Sequence, residues 1–368
     1  MNIEQLGWNE FFEQCFVAFA DEGFTPARIA VEHKQFYLAY CEQGELAANI
    51  CGKMLHEAQS RAEFPTVGDW VAVRLRPEER KATIHALLTR KSSFSRKAVL
   101  AGGPEYGDGR TEEQVLAANV DVVFLVSGLD GDFNPRRIER YLTAAWDSGA
   151  TPIIVLNKAD VCVDVARYVQ DVEAANPGIP VHPVSAVNDY GLKTLRQYIP
   201  WGKTAAFLGS SGVGKSTIIN KLLGEERLDT GGVRLDDSLG RHTTTRRELI
   251  LLPQGGILID TPGMREIQMW GDETALVATF SDIQQLVIQC RFSDCKHESE
   301  PGCVVRAALE EGSLDAKRFE SYLKLQKEQQ HLARKQAKGQ ARREEKEWTR
   351  KVRQYHRDMK ELRRKGLA

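Results

Sequence analysis

The chain has 368 residues, more than one ordinary domain, so two or three are expected. With 42% apolar residues it can build real cores, and no run of 18 apolar residues calls for a membrane span. The formal net charge is −1, yet residues 331–368 hold 14 Lys/Arg against 5 Asp/Glu, a segregated positive charge that suggests a polyanionic partner.

Residues 1–25 begin "MNIEQLGWNEFFEQ", with neither the basic leader nor the apolar core of a secretory signal. They read as a short amphipathic helical segment carrying Phe11, Phe12, Phe16 and Phe19. From 26 to 101 the texture changes. "ARIAVEHKQFYLAY", "VGDWVAVRLR" and "KATIHALLTRKSSFSRKAV" alternate apolar and polar residues, which predicts four or five short strands and a small barrel. A nucleic-acid-binding barrel of the OB type and an SH3-like barrel both fit that pattern. Residues 102–114, "GGPEYGDGRTEEQ", read as a flexible linker.

Residues 115–275 alternate buried strands with helices. "NVDVVFLVSGLD" is a strand, "NPRRIERYLTAAWDSG" a helix ending at Gly149, and "TPIIVLNKAD" a strand. A helix near 164–175 follows, then strand "PVHPVSA", helix "LKTLRQYI", strand "KTAAFLGSSG" and a helix from Lys215. Strands around "RELILL" and "GILIDTPG" close the domain. The fold class is therefore multidomain α/β, its centre a mostly parallel sheet with helices on both faces. Residues 276–325 form a short cysteine-bearing domain, and 326–368 a basic helical tail.

Two motifs inside the α/β region carry the chemistry. "GSSGVGKST" spans Gly209, Ser210, Ser211, Gly212, Val213, Gly214, Lys215, Ser216 and Thr217, after a strand and at the head of a helix. That is the context in which a glycine-rich loop turns backbone N–H groups onto phosphate oxygens. Lys215 would reach the β- and γ-phosphates, and the Ser216 hydroxyl would ligate Mg²⁺. "NKAD" places Asn157, Lys158 and Asp160 at the end of another buried strand. A carboxylate there can accept from both N1–H and the 2-amino group of guanine, a donor pair that adenine lacks, so with the phosphate loop nearby it points to GTP over ATP. Asn157 would hold the base edge and the loop, while the Lys158 stem would pack on the ring. Ser185 and Ala186, in "VSA", fit the small loop behind the base.

Asp260, in "DTPG", can hold the magnesium shell, and the Gly263 N–H can meet a γ-phosphate. In "GRHTTTR", Thr244 and Thr245 are both candidates to complete the magnesium shell as a switch segment does. Met264 stands where Ras-like sites place the glutamine that orients water, and a thioether cannot do that. His242 is the local candidate for the missing group, with a purely structural role as the alternative. Cys290, Cys295, His297 and Cys303 match a closed tetrahedral structural zinc site of three thiolates and one imidazole. The remaining cysteines, Cys15, Cys41, Cys51 and Cys162, read as packing residues.

The motif order is unusual: base motif at 157–160, base-backing loop at 185–186, phosphate loop at 209–216, switch threonines at 243–245, "DTPG" at 260–263. The cyclic order of an ordinary GTPase is kept and only the cut point has moved, which is a circular permutation. With "GSSGVGKST", "GRHTTT", "DTPG" and the Cys-x4-Cys-x-His-x5-Cys cluster, residues 26–325 closely resemble the ribosome small-subunit-dependent GTPase A family (RsgA, also called YjeQ). The resemblance implies an N-terminal OB-fold, a permuted GTPase and a C-terminal zinc domain. It also implies a bacterial factor in late maturation of the 30S ribosomal subunit that contacts 16S rRNA and whose hydrolysis of GTP the subunit stimulates. The leader, hydropathy and cysteine pattern read as a soluble, cytoplasmic protein. A monomer with no membrane partner is expected. A nucleotide-gated RNA-binding scaffold, with hydrolysis incidental, is the competing reading.

Overall fold

The structure is a computed structural model describing residues 1–33, 35–58, 60–99, 111–228, 247–260, 273–334 and 348. It divides into two compact units. The first comprises residues 1–269 with 277–281, the second 270–276 with 282–368.

The first unit opens with helix α1 (Glu10–Ala20), capped by the Asn9 side chain, which accepts from Phe11 N. Five strands follow: β1 (Thr25–Glu32), β2 (Tyr37–Cys41), β3 (Gly44–Ile50), β4 (Trp70–Arg76) and β5 (Lys81–Leu87). The short helix α2 (Gly52–Glu57) lies between β3 and β4, with Cys51 Sγ accepting from Met54 N at its start. Pairing runs β1-β2-β3-β5-β4, and β4 returns to β1, so the five strands close into a barrel. The β3–β5 pair is parallel and the others are antiparallel. Ala27, Ile29, Ala39, Cys41, Val71, Val73 and Ile84 fill its interior. The apolar face of α1 covers one side, where Phe12 and Phe16 meet Trp70, Ala72 and Leu88.

The strand reading of 81–99 needs a correction. Only β5 belongs to the barrel; β6 (Ser93–Val99) leaves it and pairs with β7 (Thr111–Ala118) as a separate antiparallel hairpin. The break falls at Arg90. Its guanidinium grips buried Asp69 through both carboxylate oxygens at 2.8 and 2.7 Å, and donates to the carbonyls of Ala62 and Phe64. Alternation marks a strand but not its partner, so this exit was invisible in the pattern. The linker expected at 102–114 is also shorter, because residues 111–114 lie in β7.

Next come β8 (Val122–Gly128), α3 (Pro135–Ser148), β9 (Thr151–Asn157), α4 (Val165–Ala175), β10 (Val181–Pro183) and α5 (Leu192–Arg196). Then follow β11 (Thr204–Gly209), α6 (Lys215–Leu223), β12 (Glu248–Leu251) and β13 (Ile257–Asp260). Their order is β10-β9-β8-β11-β13-β12, parallel throughout except for β12. These strands are buried almost throughout, and successive residues pack on opposite faces of the sheet. Val123, Leu125, Ile154 and Leu156 pack with α3 and α4 residues such as Leu142 and Val172. Phe124, Val126, Ile153 and Val155 pack on the other face with Leu195, Ile218 and Leu222 of α5 and α6. Both faces are therefore covered, which is why these strands read as continuous apolar runs. One further pair, Val31 with Glu248, joins β12 to β1 of the barrel.

Later in the chain come α7 (Glu273–Thr279), α8 (Ser281–Val287) and α9 (Val304–Glu310), and residues 316–334 are helical. That last helix crosses position 326, where the composition alone puts the start of the tail. Its buried positions run on through Phe319, Tyr322, Leu325, Gln329 and Leu332, so no break in packing occurs there. Among the described residues, no helix is long and apolar enough to cross a membrane.

Candidate nucleotide site and metal cluster

The order of the α/β sheet creates a crevice. From β8 the chain builds outward to β9 and β10, then crosses back to place β11 on the other side of β8. Ligands of open parallel sheets lodge beyond the carboxyl ends of strands at such a reversal. The base motif leaves the end of β9 and the phosphate loop leaves the end of β11, with β8 between them.

Asn157 is the hinge of this arrangement. It is buried, its Nδ2 donates to the Val213 carbonyl at 2.7 Å, and its Oδ1 accepts from Ala186 N at 3.2 Å. One side chain thus ties together three segments that the sequence keeps apart. The contact is close enough to demand glycine at 214, where a Cβ would stand 2.3 Å from Asn157 Nδ2 and φ is +95°. At Gly209 a Cβ would meet the Val126 carbonyl at 2.4 Å. Lys158 adopts φ +65°, and its Nζ pairs with the Asp130 carboxylate, which holds that carboxyl below its usual range. Exposed Asp160 accepts from the Ser185 hydroxyl at 2.6 Å.

In the phosphate loop, Lys215 Nζ folds back onto the carbonyls of Gly209 and Ser210 at 2.8 and 2.6 Å. Ser211 and Gly212 are exposed at the crest, Val213 is buried beneath, and Ser216 and Thr217 sit half-buried in the first turn of α6. Asp260 ends β13, the strand beside β11. Burial pushes its carboxyl up, neighbouring Glu248 adds to the rise, and the charge of Lys215 opposes it. His242, Thr244, Thr245, Gly263 and Met264 lie outside the described residues.

The second unit gathers Cys290, Cys295, His297 and Cys303, whose ligand atoms all lie within 4.8 Å of one another. His297 Nδ1 is 3.4 Å from Cys303 Sγ and 3.7 Å from Cys290 Sγ, and the two sulfurs are 4.0 Å apart. A tetrahedral ion with Zn–S of about 2.3 Å and Zn–N of about 2.0 Å requires edges of roughly 3.5–3.8 Å, so the cluster fits zinc. Cys303 Sγ also accepts from Arg306 N at 3.4 Å, the kind of outer contact that steadies a thiolate ligand.

Sequence reading missed Glu300. Its carboxylate accepts from the backbone of Lys296, Ser299 and Glu298, all near 2.9–3.0 Å, and those bonds hold its carboxyl down to about 2. It shapes the loop between His297 and Cys303. No motif flags a glutamate that serves its own backbone.

Comparison with known proteins agrees with this geometry. Residues 88–270 match the family model of the RsgA GTPase. Over 357 residues the chain is 49% identical to the small ribosomal subunit biogenesis GTPase RsgA of Opitutus terrae, covering 95% of each chain. The chain belongs to the RsgA GTPase family. An RsgA protein of Lactiplantibacillus plantarum with the same descriptive name is 47% identical, covering 84% of each chain. Among solved structures, YjeQ from Thermotoga maritima superposes with a TM-score of 0.60 at 26% identity, covering 83% of this chain and 98% of that one. YloQ, described as a circularly permuted GTPase, superposes at 0.58 with 23% identity, covering 84% of this chain and 96% of its own, and shares the fold. RsgA membership accounts for the reversed motif order, since the permuted fold carries its base motif ahead of its phosphate loop.

Proposed function

We propose that this chain is a GTP hydrolase that acts on the small ribosomal subunit late in 30S assembly, binding 16S rRNA and leaving when GTP is hydrolysed. The observation that supports the reading is the Asn157 bridge to Val213 and Ala186, which ties the proposed base motif to the proposed phosphate loop. High identity to RsgA proteins named for small-subunit biogenesis supplies the setting.

In this reading the Asp160 carboxylate takes both donors of the guanine edge, with Ser185 and Ala186 behind it and the Lys158 stem against the ring. The backbone from Gly209 to Gly214 and the side chains of Ser210, Ser211, Ser216 and Thr217 surround the phosphates. Lys215 leaves its two carbonyl partners for the β- and γ-oxygens, which costs little because it exchanges one set of acceptors for another. Ser216 and Asp260 would hold Mg²⁺, with Thr244 or Thr245 and Gly263 as further ligands of ion and γ-phosphate. Bound there, the ion would draw off the charge that builds on the transferring phosphoryl oxygens. His242 is proposed as the group that orients the attacking water in place of the missing glutamine.

The strand order 1-2-3-5-4-1 of the barrel supports an OB-type RNA-binding module over an SH3-like one. The basic residues beyond 331 would add phosphate contacts, so subunit binding should weaken steeply with salt. Cys290, Cys295, His297 and Cys303 would hold one structural Zn²⁺. The protein would work in the cytoplasm as a monomer, without a membrane partner.

The test is GTP turnover with and without purified 30S subunits. A many-fold rise is expected. Equal turnover in both would overturn the proposal and favour a nucleotide-gated scaffold.

A further inference from the structure

The nucleotide motifs come from β9, β11 and β13, but the strand between β9 and β11 is β8, and its outgoing segment belongs to no motif. That segment, "GLDGDFNPRR" at 128–137, reaches both neighbours. On one side Leu129 N donates to the Asn157 carbonyl at 2.8 Å, and the Asp130 carboxylate pairs with Lys158. On the other, Arg137 Nη1 donates to the Ser210 hydroxyl of the phosphate loop at 2.5 Å and to Asp132 Oδ2 at 2.6 Å. Asp132 N donates back to Asp130 Oδ1 at 3.2 Å, which joins the two ends.

The backbone is built for this connection. A Cβ at Gly128 would stand 2.7 Å from Asp130 Oδ1, so glycine lets the aspartate fold toward Lys158. Asn134 caps α3 by accepting from Arg136 N at 2.9 Å, with Pro135 in the first turn, which sets Arg137 at the helix start facing the loop.

We propose that Asp130 and Arg137 are positioning residues of the nucleotide site, forming a charged brace that fixes the spacing between the base motif and the phosphate loop. The proposal rests on the guanine-nucleotide reading above and adds residues that reading does not use. All four charged side chains of the brace are partly exposed, between 32% and 44%. Ion pairs so exposed contribute little to global stability. Their effect should therefore fall on ligand geometry, where a displacement of about 1 Å is costly.

The experiment measures GDP affinity and apo thermal unfolding in the full chain for wild type, D130A, R137A, S210A and R137A/S210A. Expected is a loss of affinity on the order of tenfold for D130A and for R137A, with Tm shifted by less than about 3 °C. If Arg137 acts through Ser210, the double variant loses no more than the larger single loss. Wild-type affinity in D130A and R137A, or additive losses in the double variant, would overturn the brace. If R137A lowers Tm strongly, D130A decides alone, from the opposite end. Failure of the wild type to bind GDP would instead sink the nucleotide reading itself, so the two failures are distinguishable.

Discussion

Asn157 and Val213 stand 56 positions apart in the chain, and the amide of the first donates to the carbonyl of the second at 2.7 Å. The bond closes a permuted site. In sequence the base motif precedes the phosphate loop, and only the sheet reversal at β8 brings their ends together. Asn157 is 2% exposed, so neither water nor a neighbour can readily replace it. Asn157→Ala would strand the Val213 carbonyl and the Ala186 N–H, at about 1–3 kcal/mol of stability. The larger effect should be on function, with GDP affinity falling at least about tenfold. Titration of a fluorescent GDP analogue, with a urea melt alongside, checks both. Unchanged affinity would mean that the bridge does not hold the pocket.

Base choice should depend on Asp160. Its Oδ1 accepts from the Ser185 hydroxyl at 2.6 Å, which orients the carboxylate before any base arrives. Asp160→Ala leaves guanine's two edge donors without an acceptor, while adenine loses nothing. The preference for GTP over ATP should fall by a factor on the order of 10² or more. Competition of GTP and ATP for the variant measures it. Ser185→Ala should show a smaller fall in the same direction, because the acceptor remains and only its orientation is released.

These two predictions use residues that the sequence names directly, and the reason is physical. Gly214, Asn157 and Asp160 would answer to a ligand whose shape is fixed, so their spacing is stereotyped and readable. The parallel strands were equally legible, since burial on both faces demands unbroken apolar runs such as "VVFLV". What stayed hidden depends on partners chosen across space. Nothing in "TRKSS" shows that Arg90 will seize Asp69 and send β6 out of the barrel. Nothing in "DGDFNPRR" shows that Arg137 reaches Ser210. The boundary placed at 326 cuts a continuous helix for a similar reason. Its buried Tyr322, Leu325 and Leu332 are diluted in a charged composition that looks solvated throughout.

Asp260 should trade stability for function. Burial and Glu248 raise its carboxyl above the ordinary value of 3.8. With the folded value above the unfolded one, the folded state holds the proton more tightly. The associated stability is full below about pH 3.8 and is lost as pH rises through the raised value. At neutral pH the carboxylate is therefore a burden on the apo protein. Asp260→Asn should leave the apo form as stable as wild type or more so at pH 7, while weakening Mg²⁺-dependent GTP binding. Urea midpoints at pH 7, with GTP affinity in Mg²⁺ and in EDTA, test this. A variant less stable at pH 7 than the wild type would contradict it.

Metal removal should act on the second unit. The Cys/His cluster brings together the end of α8, a loop shaped by Glu300 and the start of α9, segments with few large apolar residues of their own. Binding energy of a structural zinc is folding energy for such a segment. Chelation, or Cys295→Ser, should expose the region 288–303 to protease while GDP binding in the first unit persists. Metal analysis should find one zinc per chain in the wild type. A protein that purifies without zinc yet resists protease there would refute this role.

Arg28 should govern the stability of the first unit. It is 1% exposed and donates to four groups: the carbonyls of Gly68, Leu6 and Asn119, and the Thr204 hydroxyl. Those acceptors belong to the loop before β4, the N-terminal segment, the β7–β8 junction and the strand that leads to the phosphate loop. One guanidinium thus fastens the barrel to the nucleotide sheet. Desolvation lowers its pKa to about 10, but nearby Asp121 and Asp69 keep it charged at any working pH. Gly7 is part of the same joint, since a Cβ there would press on Arg28 Nη1 at 2.7 Å. Arg28→Met fills much of the volume but abandons every acceptor and leaves buried Asp69 with less positive charge nearby. The expected cost is about 3–5 kcal/mol. In a unit of this size that corresponds to a fall in Tm of about 6–20 °C. Gly7→Ala should lower it in the same direction, by crowding the guanidinium at φ +90°. Calorimetry of both variants decides the matter, because an Arg28→Met protein melting within a degree or two of wild type would show that the barrel and the sheet are held by other contacts.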